Sequence, residues 1–510
     1  MSDKRKELTN RLASIEQQLY NLYGKTYKTA LKIKDVREAI EMGANFTWEG
    51  NPNAEKKLDR LLKQLSNQAT IAIQNGVMAS YGMGEEQATD AIASNYKPKL
   101  QSEARSICEE AIREQRKQGM TAHVYATREN GGLTISGRVW NFTGNAKQEI
   151  ETMVQNGILE GKSPNEVSRD IRKYLNNPDA LFRRVRNPVT GDLELSQAAR
   201  AYHPGVGVYR SAFKNARRLA VTEMNAAYRR AQWESYQKNP LVVGYEIRLS
   251  ANHTTTIKGK IVPLEDICDK LAGRYPLDFL WTGWHPHCRC DMVPILITEK
   301  DFRARIKARK NGTLKKWKPK DWQSRTVKSL PSQTRKWAVD NAERISKAKS
   351  LPDWVEQNNV FFLQLVTSNL SEEVSTQGKP TKEDTSTARK ELENFYQHLL
   401  PRAEVGKYEA RRLVVETSDA CKVIINRRFY NETISKYKTD PLYKLKLEYA
   451  KYAHEIIKVA KRVLPDEPSE DHADSVFRVY EYTDGKYKVE LKVRCNTDGN
   501  FLHILRLYPQ

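Results

Sequence analysis

From Phe213 to Ala231 the apolar positions Phe213, Ala216, Ala220, Met224, Ala227 and Ala231 are spaced so that they fall on one face of a helix over 213–236. The seam is narrow and mostly small, so it can be buried only by close packing against another helix. Two more patterns of the same period precede it: Leu8, Leu12, Ile15, Leu19 and Leu22, then Leu58, Leu62, Leu65, Ala69 and Ala72. Gly43, Gly50, Pro52 and Asn53 break the period between them, so the start of the chain reads as helices joined by a loop.

A chain of 510 residues exceeds what one core organises, and two to four domains are expected. The fold class is α+β and multidomain: a helical N-terminal part over 1–124, an α+β domain over 125–297, a basic helical segment over 298–370, a flexible linker over 371–389 and a C-terminal α+β module over 390–510. The first boundary rests on β-like pieces at His123-Val124-Tyr125 and Leu133-Thr134-Ile135. Ser163-Pro164-Asn165-Glu166 combines an N-cap, a first-turn proline and a capping glutamate, so a helix starts there with Val167, Ile171 and Leu175 on its inner face. A strand is expected from Leu241 to Leu249. The Ser, Thr, Gly, Lys, Pro and acidic composition of 371–389 suits a linker. Beyond 390, helical segments run to about 463. Three strands follow, Val476–Tyr482, Tyr487–Cys495 and Phe501–Tyr508, with turns at Asp484-Gly485 and Asp498-Gly499, which predicts an antiparallel meander.

The formal net charge of +22 favours a polyanionic partner, nucleic acid first, through Coulomb attraction and counterion release. Residues 301–350 hold 16 Lys and Arg against 4 Asp and Glu, a net +12. Arg303, Arg305, Lys307, Arg309, Lys310, Lys315, Lys316, Trp317 and Lys318 are the candidate nucleic-acid contacts, and Trp317, Trp322 and Trp337 could stack or wedge. The alternative is a solvated basic helix whose tryptophans dock on their own domain. The first residues lack the apolar stretch of a signal peptide, no run approaches membrane-spanning length, and six cysteines are too few for a disulfide framework. Synthesis in a reducing cytoplasm is therefore expected.

Cys268, His285, His287, Cys288 and Cys290, the last four within His285-Pro286-His287-Cys288-Arg289-Cys290, offer soft ligands at short range, with Cys268, one histidine (His285 the candidate), Cys288 and Cys290 as the closing set. They suit a closed, structural zinc site with no open position for a catalytic water, and His253 is a further candidate ligand. The alternative is a loop stiffened by Pro286 in which the cysteines are small buried residues.

The helix Ala216-Arg217-Arg218-Leu219-Ala220-Val221-Thr222-Glu223-Met224-Asn225, followed by the His-Pro-x-Cys-x-Cys block, resembles the Mu F-like head-morphogenesis domain of tailed bacteriophages. The intervening strand, the Asp266-Ile267-Cys268-Asp269 turn and the Gly157–Ser163 junction are also similar to it. The resemblance covers about 125–297. It departs at 250–256, where many relatives carry an Asp and a Cys and this chain has Ser250 and His253. What the resemblance implies is a minor head protein made in the host bacterial cytoplasm, placed near the portal and inner capsid, touching packaged DNA and carried inside the virion. Arg218, Thr222, Glu223 and Asn225 form the structural motif. Arg218, Thr222, Asn225 and Arg229 share the face opposite the seam and could cap loops or contact DNA or portal. Glu223 could form a buried pair with Arg217, Arg218 or Arg289.

In the C-terminal module, strand alternation places Lys488, Glu490, Lys492 and Arg494 on one face, with Arg478, Tyr480, Tyr482, Arg506 and Tyr508 on the same side. Such a basic, aromatic face could grip RNA and, with a base such as Glu490 or a histidine, cleave it without metal. The layout is similar to barnase-EndoU-RelE-like nuclease modules appended to some phage head proteins, which implies Glu490, Arg494, His503, Arg506 and Tyr508 as candidate catalytic residues. His503 otherwise reads as a core-edge residue beside Phe501, Leu505 and Leu507, and His454 as a surface residue. A third reading is a zinc-stabilised nucleic-acid-binding protein unrelated to phage.

Overall fold

The computed structural model describes residues 3–177, 179–186, 189–191, 193–195, 208–250, 253–257, 260–318, 325–346, 348, 351–375, 382–399, 402–405, 408–434, 442–468 and 475–510. The chain is α+β and divides into two compact units, Met1–Ser329 and Leu330–Gln510. The basic segment 298–370 is therefore shared between them.

The first unit runs α1 (Asp3–Ala30), α2 (Lys34–Met42), α3 (Pro52–Ala93), α4 (Pro98–Lys117), α5 (Ala122–Thr127), α6 (Ile135–Leu159), α7 (Pro164–Asn176) and α8 (Asp179–Phe182). The hairpin of β1 (Arg183–Arg186) and β2 (Leu193–Leu195) leads on to α9 (Ala212–Gln237). Strand β3 (Val242–Arg248) is central in a three-stranded antiparallel sheet, flanked by β6 (Gly273–Tyr275) and β7 (Asp291–Leu296). Between them lie the hairpin of β4 (Thr254–Ile257) and β5 (Lys260–Pro263) and the short helix α10 (Ile267–Leu271), and after β7 comes α11 (Glu299–Lys310).

The small-residue seam of α9 packs on α3. At Gly84 of α3 a Cβ would lie 2.2 Å from the Tyr228 carbonyl oxygen, so the two backbones approach as closely as the alanines allow, and only glycine fits. One core joins α1, α3, α6, α7 and α9 through residues such as Leu19, Tyr23, Leu58, Ile73, Ile150, Ile171, Ala220 and Met224. Helices on both sides of residue 124 thus share that core. The β-like pieces expected at 123–135 are instead α5, the Asn130–Leu133 bridge and the start of α6. The Thr121 and Thr134 side chains cap these two helices by accepting from Val124 N and Gly137 N, and capping with burial of Tyr125, Ile135 and Val139 outweighs local β propensity. The capping box at Ser163 and Glu166 forms as expected.

The second unit runs α12 (Ser332–Asp340), α13 (Ala342–Ser346), α14 (Asp353–Glu356), α15 (Asn359–Ser375) and α16 (Lys382–Leu399). Strands β8 (Arg402–Val405), β9 (Tyr408–Glu416) and β10 (Lys422–Asn426) follow, then α17 (Arg427–Ile434), α18 (Tyr443–Lys451) and α19 (Ala453–Val459). The chain closes with β11 (Lys461–Pro468), β12 (Val476–Thr483), β13 (Tyr487–Asn496) and β14 (Gly499–Pro509). The meander forms where it was expected, as the centre of a seven-stranded sheet of order β11-β12-β13-β14-β10-β9-β8. The extra strands correct the reading of 390–463 as helical: β8, β9 and β10 pair antiparallel in turn, and β10 joins β14 in parallel. Helices also occupy both ends of the supposed linker, while 376–381 lie outside the described residues. His454 is buried rather than on the surface, and desolvation pushes it down to about 4.

Glu149 of α6 ties three elements of the first unit together, accepting from the backbone N–H of Ala212 at the start of α9 and, at 3.1 Å, from the Tyr27 hydroxyl of α1. Burial pushes its carboxyl up to about 8, against these hydrogen bonds. A folded pKa above the unfolded value of about 4.3 gives stability that is complete below that value and is lost as pH rises through 8. Relative to Glu149→Gln, the wild type should lose on the order of 4 kcal/mol between pH 5 and 9 in urea unfolding of the first unit. A gap independent of pH would show that the carboxyl is ionised throughout.

Candidate metal centre

Two short segments bring the soft ligands together. Asp266 caps α10, accepting from Cys268 N at 2.6 Å, and Asp269 reaches back to Asp266 N at 2.8 Å, a reciprocal box that points Cys268 inward. In the second segment, Cys288 N donates to His285 O at 3.1 Å and His287 takes φ 64°, so the backbone doubles back and both Cys288 and Cys290 are buried.

Cys268 Sγ lies 3.1 Å from His285 Nε2 and 3.8 Å from Cys288 Sγ. The ligand atoms of Cys268, His285 and Cys288 lie within 4.8 Å of one another, and the buried Cys290 adjoins them closely enough to influence both other thiols. The four residues expected as a ligand set are thus assembled, and the cluster could bind a metal. The His285 ring places its other nitrogen, Nδ1, 2.7 Å from the Pro286 carbonyl oxygen, which orients Nε2 toward the sulfurs. Hydrogen bonds from Cys268 and Cys290, then the charge of Arg229 and the Trp284 backbone N–H, hold the Cys288 thiol well below its ordinary value. The same shared protons push Cys268 up.

His253 does not join this set. Its Nε2 is 3.0 Å from Asp269 Oδ2 and 3.5 Å from Asp266 Oδ1, a separate carboxylate group. Asp266 touches both clusters, because its Oδ2 also lies 3.2 Å from His285 Nε2.

Two arginines hold the cysteine loop from beneath. Arg229 of α9, 2 % exposed, donates Nη1 to Thr282 O at 3.0 Å and Nη2 to Cys288 O and Cys290 O at 2.5 and 3.2 Å, with Trp281 stacked at 4.7 Å. Gly283 makes room for it: φ is 131°, and a Cβ there would come within 2.8 Å of Arg229 Nη1. Arg5 of α1 adds Nη2 to Arg289 O at 3.1 Å, Nη1 to Asn225 Oδ1 at 3.4 Å and an ion pair with Asp291 at 3.5 Å. Of the two roles expected for the outer face of α9, Arg229 therefore takes loop capping, Asn225 meets the loop only through Arg5, and the burial of both removes them from any DNA or portal surface.

Glu223 does form a buried pair, but with other arginines. Arg128 and Arg138 reach its two oxygens at 2.9 and 2.7 Å, and Glu223 is 3 % exposed. Arg217 pairs with Glu16 at 3.0 Å instead, and Arg218 stacks 4.7 Å from the Tyr209 ring. Thr222 Oγ1 is buried with no hydrogen-bond partner among the described residues. Arg5, Arg128 and Arg138 carry no local signature in the sequence, since each reaches its partner across a long span of chain.

In the basic segment the candidates divide. Lys307, Lys310, Lys315, Lys316 and Lys318 are exposed, whereas Arg303 pairs with Glu299 at 2.7 Å and Arg309 with Glu103 at 3.1 Å. Arg305 turns inward beside α4, where burial lowers its pKa, and Trp317 is half-buried. Trp337 packs in the second unit against Trp354 and Phe362, at 5.1 and 6.2 Å, so it is not free to stack on a base. Trp322 lies outside the described residues.

On the second unit's sheet, Glu490, Arg494, Arg506 and Tyr508 share a face, as Glu490↔Arg506, Lys488↔Tyr508 and Arg494↔Phe501 pair across β13 and β14. His503 sits at a bulge and meets the Phe477 ring at 5.5 Å, away from the core leucines Leu502 and Leu505. The expected position of Arg478, Tyr480 and Tyr482 is wrong: they pair with Val493, Leu491 and Val489 and point to the core side. Nor is the face simply basic, for Lys488 pairs with Glu481, Lys492 with Glu467 at 2.5 Å, and Arg506 with Glu490 at 3.7 Å.

No protein-family model, curated protein or solved structure matches this chain. Among the described residues no helix is long and apolar enough to cross a membrane.

Replacing Arg229 by Met leaves three buried carbonyl oxygens without their donor. The variant should lose roughly 2–4 kcal/mol of first-unit stability in urea, while the exposed Lys307→Met changes little. Equal stability of the two variants would mean that the cysteine loop holds its shape without the arginine.

Proposed function

We propose that this chain is a minor head protein of a tailed bacteriophage, of the Mu F-like head-morphogenesis kind, acting near the portal in procapsid assembly, DNA packaging or ejection. The observation that carries this reading is that the two motif blocks behind the resemblance, the Ala216–Asn225 helix and the His-Pro-x-Cys-x-Cys loop, belong to one structural element, joined by Arg229. The exposed lysines from Lys307 to Lys318 suit contact with packaged DNA. On this reading the protein is made in the host cytoplasm and ends inside the virion.

Zinc is the metal we assign to Cys268, His285, Cys288 and Cys290. Tetrahedral zinc with Zn–S bonds of about 2.3 Å separates two sulfurs by about 3.8 Å, and Cys268 Sγ and Cys288 Sγ stand 3.8 Å apart. Three thiolates and one imidazole complete the shell, so the ion would brace the loop and leave no site for a reacting water. The Arg229 guanidinium offsets the negative charge of such a centre.

Protein made with zinc supplied should carry one zinc per chain, falling below half in Cys288→Ser and Cys290→Ser; substoichiometric metal in the wild type would remove the assignment. Co-expressed with a portal protein from the same genome, the full chain should co-purify with portal assemblies. Failure to associate, with no portal or terminase genes adjacent, would sink the head-protein reading in favour of a zinc-stabilised nucleic-acid binder.

A second reading, a delivered ribonuclease, is favoured by the placement of Glu490, Arg494, Arg506 and Tyr508 on one sheet face with His503 at its bulge. The ion pairs on that face weaken its grip on phosphates. Residues 330–510, a compact unit with its own core, should cleave RNA in EDTA if this reading holds, and Glu490→Gln should slow cleavage at least tenfold. Intact tRNA and mRNA after prolonged incubation would end it.

A further inference from the structure

A groove of about 650 Å³ runs between α3 and α6, away from the metal centre, with Leu62 and Gly144 among its lining residues. Trp140 stands in it 55 % exposed. Arg60 and Lys63 line the α3 side, and Lys56 continues the same helical stripe one turn earlier. These three cations are exposed and form no ion pair among the described residues. Asp59 is the acidic residue of the lining, and Lys147 at the other end is already paired with Glu55.

Gly144 leaves part of the groove's α6 wall without a side chain. It lies in the interior of a 25-residue helix, where glycine is among the poorest formers, yet a Cβ there would have nothing within 4 Å. Close packing therefore does not require it. What the missing side chain provides is open space one turn along α6 from Trp140.

We infer that this groove binds single-stranded nucleic acid, with one unpaired base stacked on Trp140 and the adjoining phosphates on Arg60 and Lys63. An exposed indole beside unpaired cations is the arrangement that sequence-tolerant strand binders use. The net charge of +22 draws a polyanion toward the chain. A duplex offers no free base face to the indole. The inference is independent of the head-protein reading and of the lysines at 307–318.

The test is photocrosslinking of the full-length chain to a 20-nucleotide single strand bearing 5-iodouracil, with adducts mapped by mass spectrometry. An adduct should form on Trp140. Gly144→Phe, which fills the groove without meeting another residue at its Cβ, should reduce that adduct at least tenfold, and Gly144→Ala should retain it. In Lys63→Glu the dependence of log affinity on log salt should become shallower by about 0.7; this exposed substitution serves as the test should Gly144→Phe fail to fold. No adduct at Trp140, or an adduct undiminished in both Gly144→Phe and Lys63→Glu, overturns the inference. A shift from dimer to monomer in Gly144→Phe, with strand binding unchanged, also overturns it and gives the groove to a second copy of the chain.

Discussion

The buried guanidinium of Arg229 is the contact on which the candidate centre depends. It is a full positive charge with almost no access to water, and its Nη1 and Nη2 donors go to carbonyl oxygens of Thr282, Cys288 and Cys290 rather than to a carboxylate, while Nε has no partner among the described residues. A charge so placed is costly unless its hydrogen bonds are met, and the loop is correspondingly constrained, because moving it would strand the charge. Gly283 and the left-handed His287 are the local consequences: one makes room for the arginine, the other turns the chain so that the cysteines face Cys268.

Around this clasp the first unit buries ionisable groups repeatedly. Arg5 reaches the same loop from the N-terminal helix, Arg128 and Arg138 meet on Glu223, and Glu149 accepts from α1 and α9. Each contact joins elements far apart in the chain. Each is also weak evidence for stability, since desolvation offsets much of the attraction. Their effect is geometric: they set where α9 lies relative to the cysteine loop, while the α3–α9 packing at Gly84 supplies the close apolar contact.

The second unit shows a similar division between pattern and pairing. Alternation along β13 put Val489, Leu491 and Val493 in the core and Lys488, Glu490, Lys492 and Arg494 outside, as the sequence implies. The faces of β12 depended on the turn at 484–487, where Asp484 Oδ1 accepts from Lys486 N and Tyr487 N. That turn pairs Thr483 with Lys488, and a register different by one residue would have brought Arg478, Tyr480 and Tyr482 to the outer face. The outer cations then find carboxylates on neighbouring strands, which no single strand's sequence reveals.

Local chemistry in the sequence determined the helix α9 and its seam, the capping box at Ser163, the meander's strands and the identity of the four soft ligands. These follow from periodicity, capping and ligand type, all of which act within a few residues. Only the tertiary structure decided that Glu223 meets Arg128 and Arg138, that Arg229 closes the loop instead of facing a partner, and that β8–β10 extend the sheet. Those outcomes depend on which distant groups share a desolvated space, where an unmet charge or carbonyl is expensive. The candidate centre was thus legible in its ligands but not in the arginines that hold them in place.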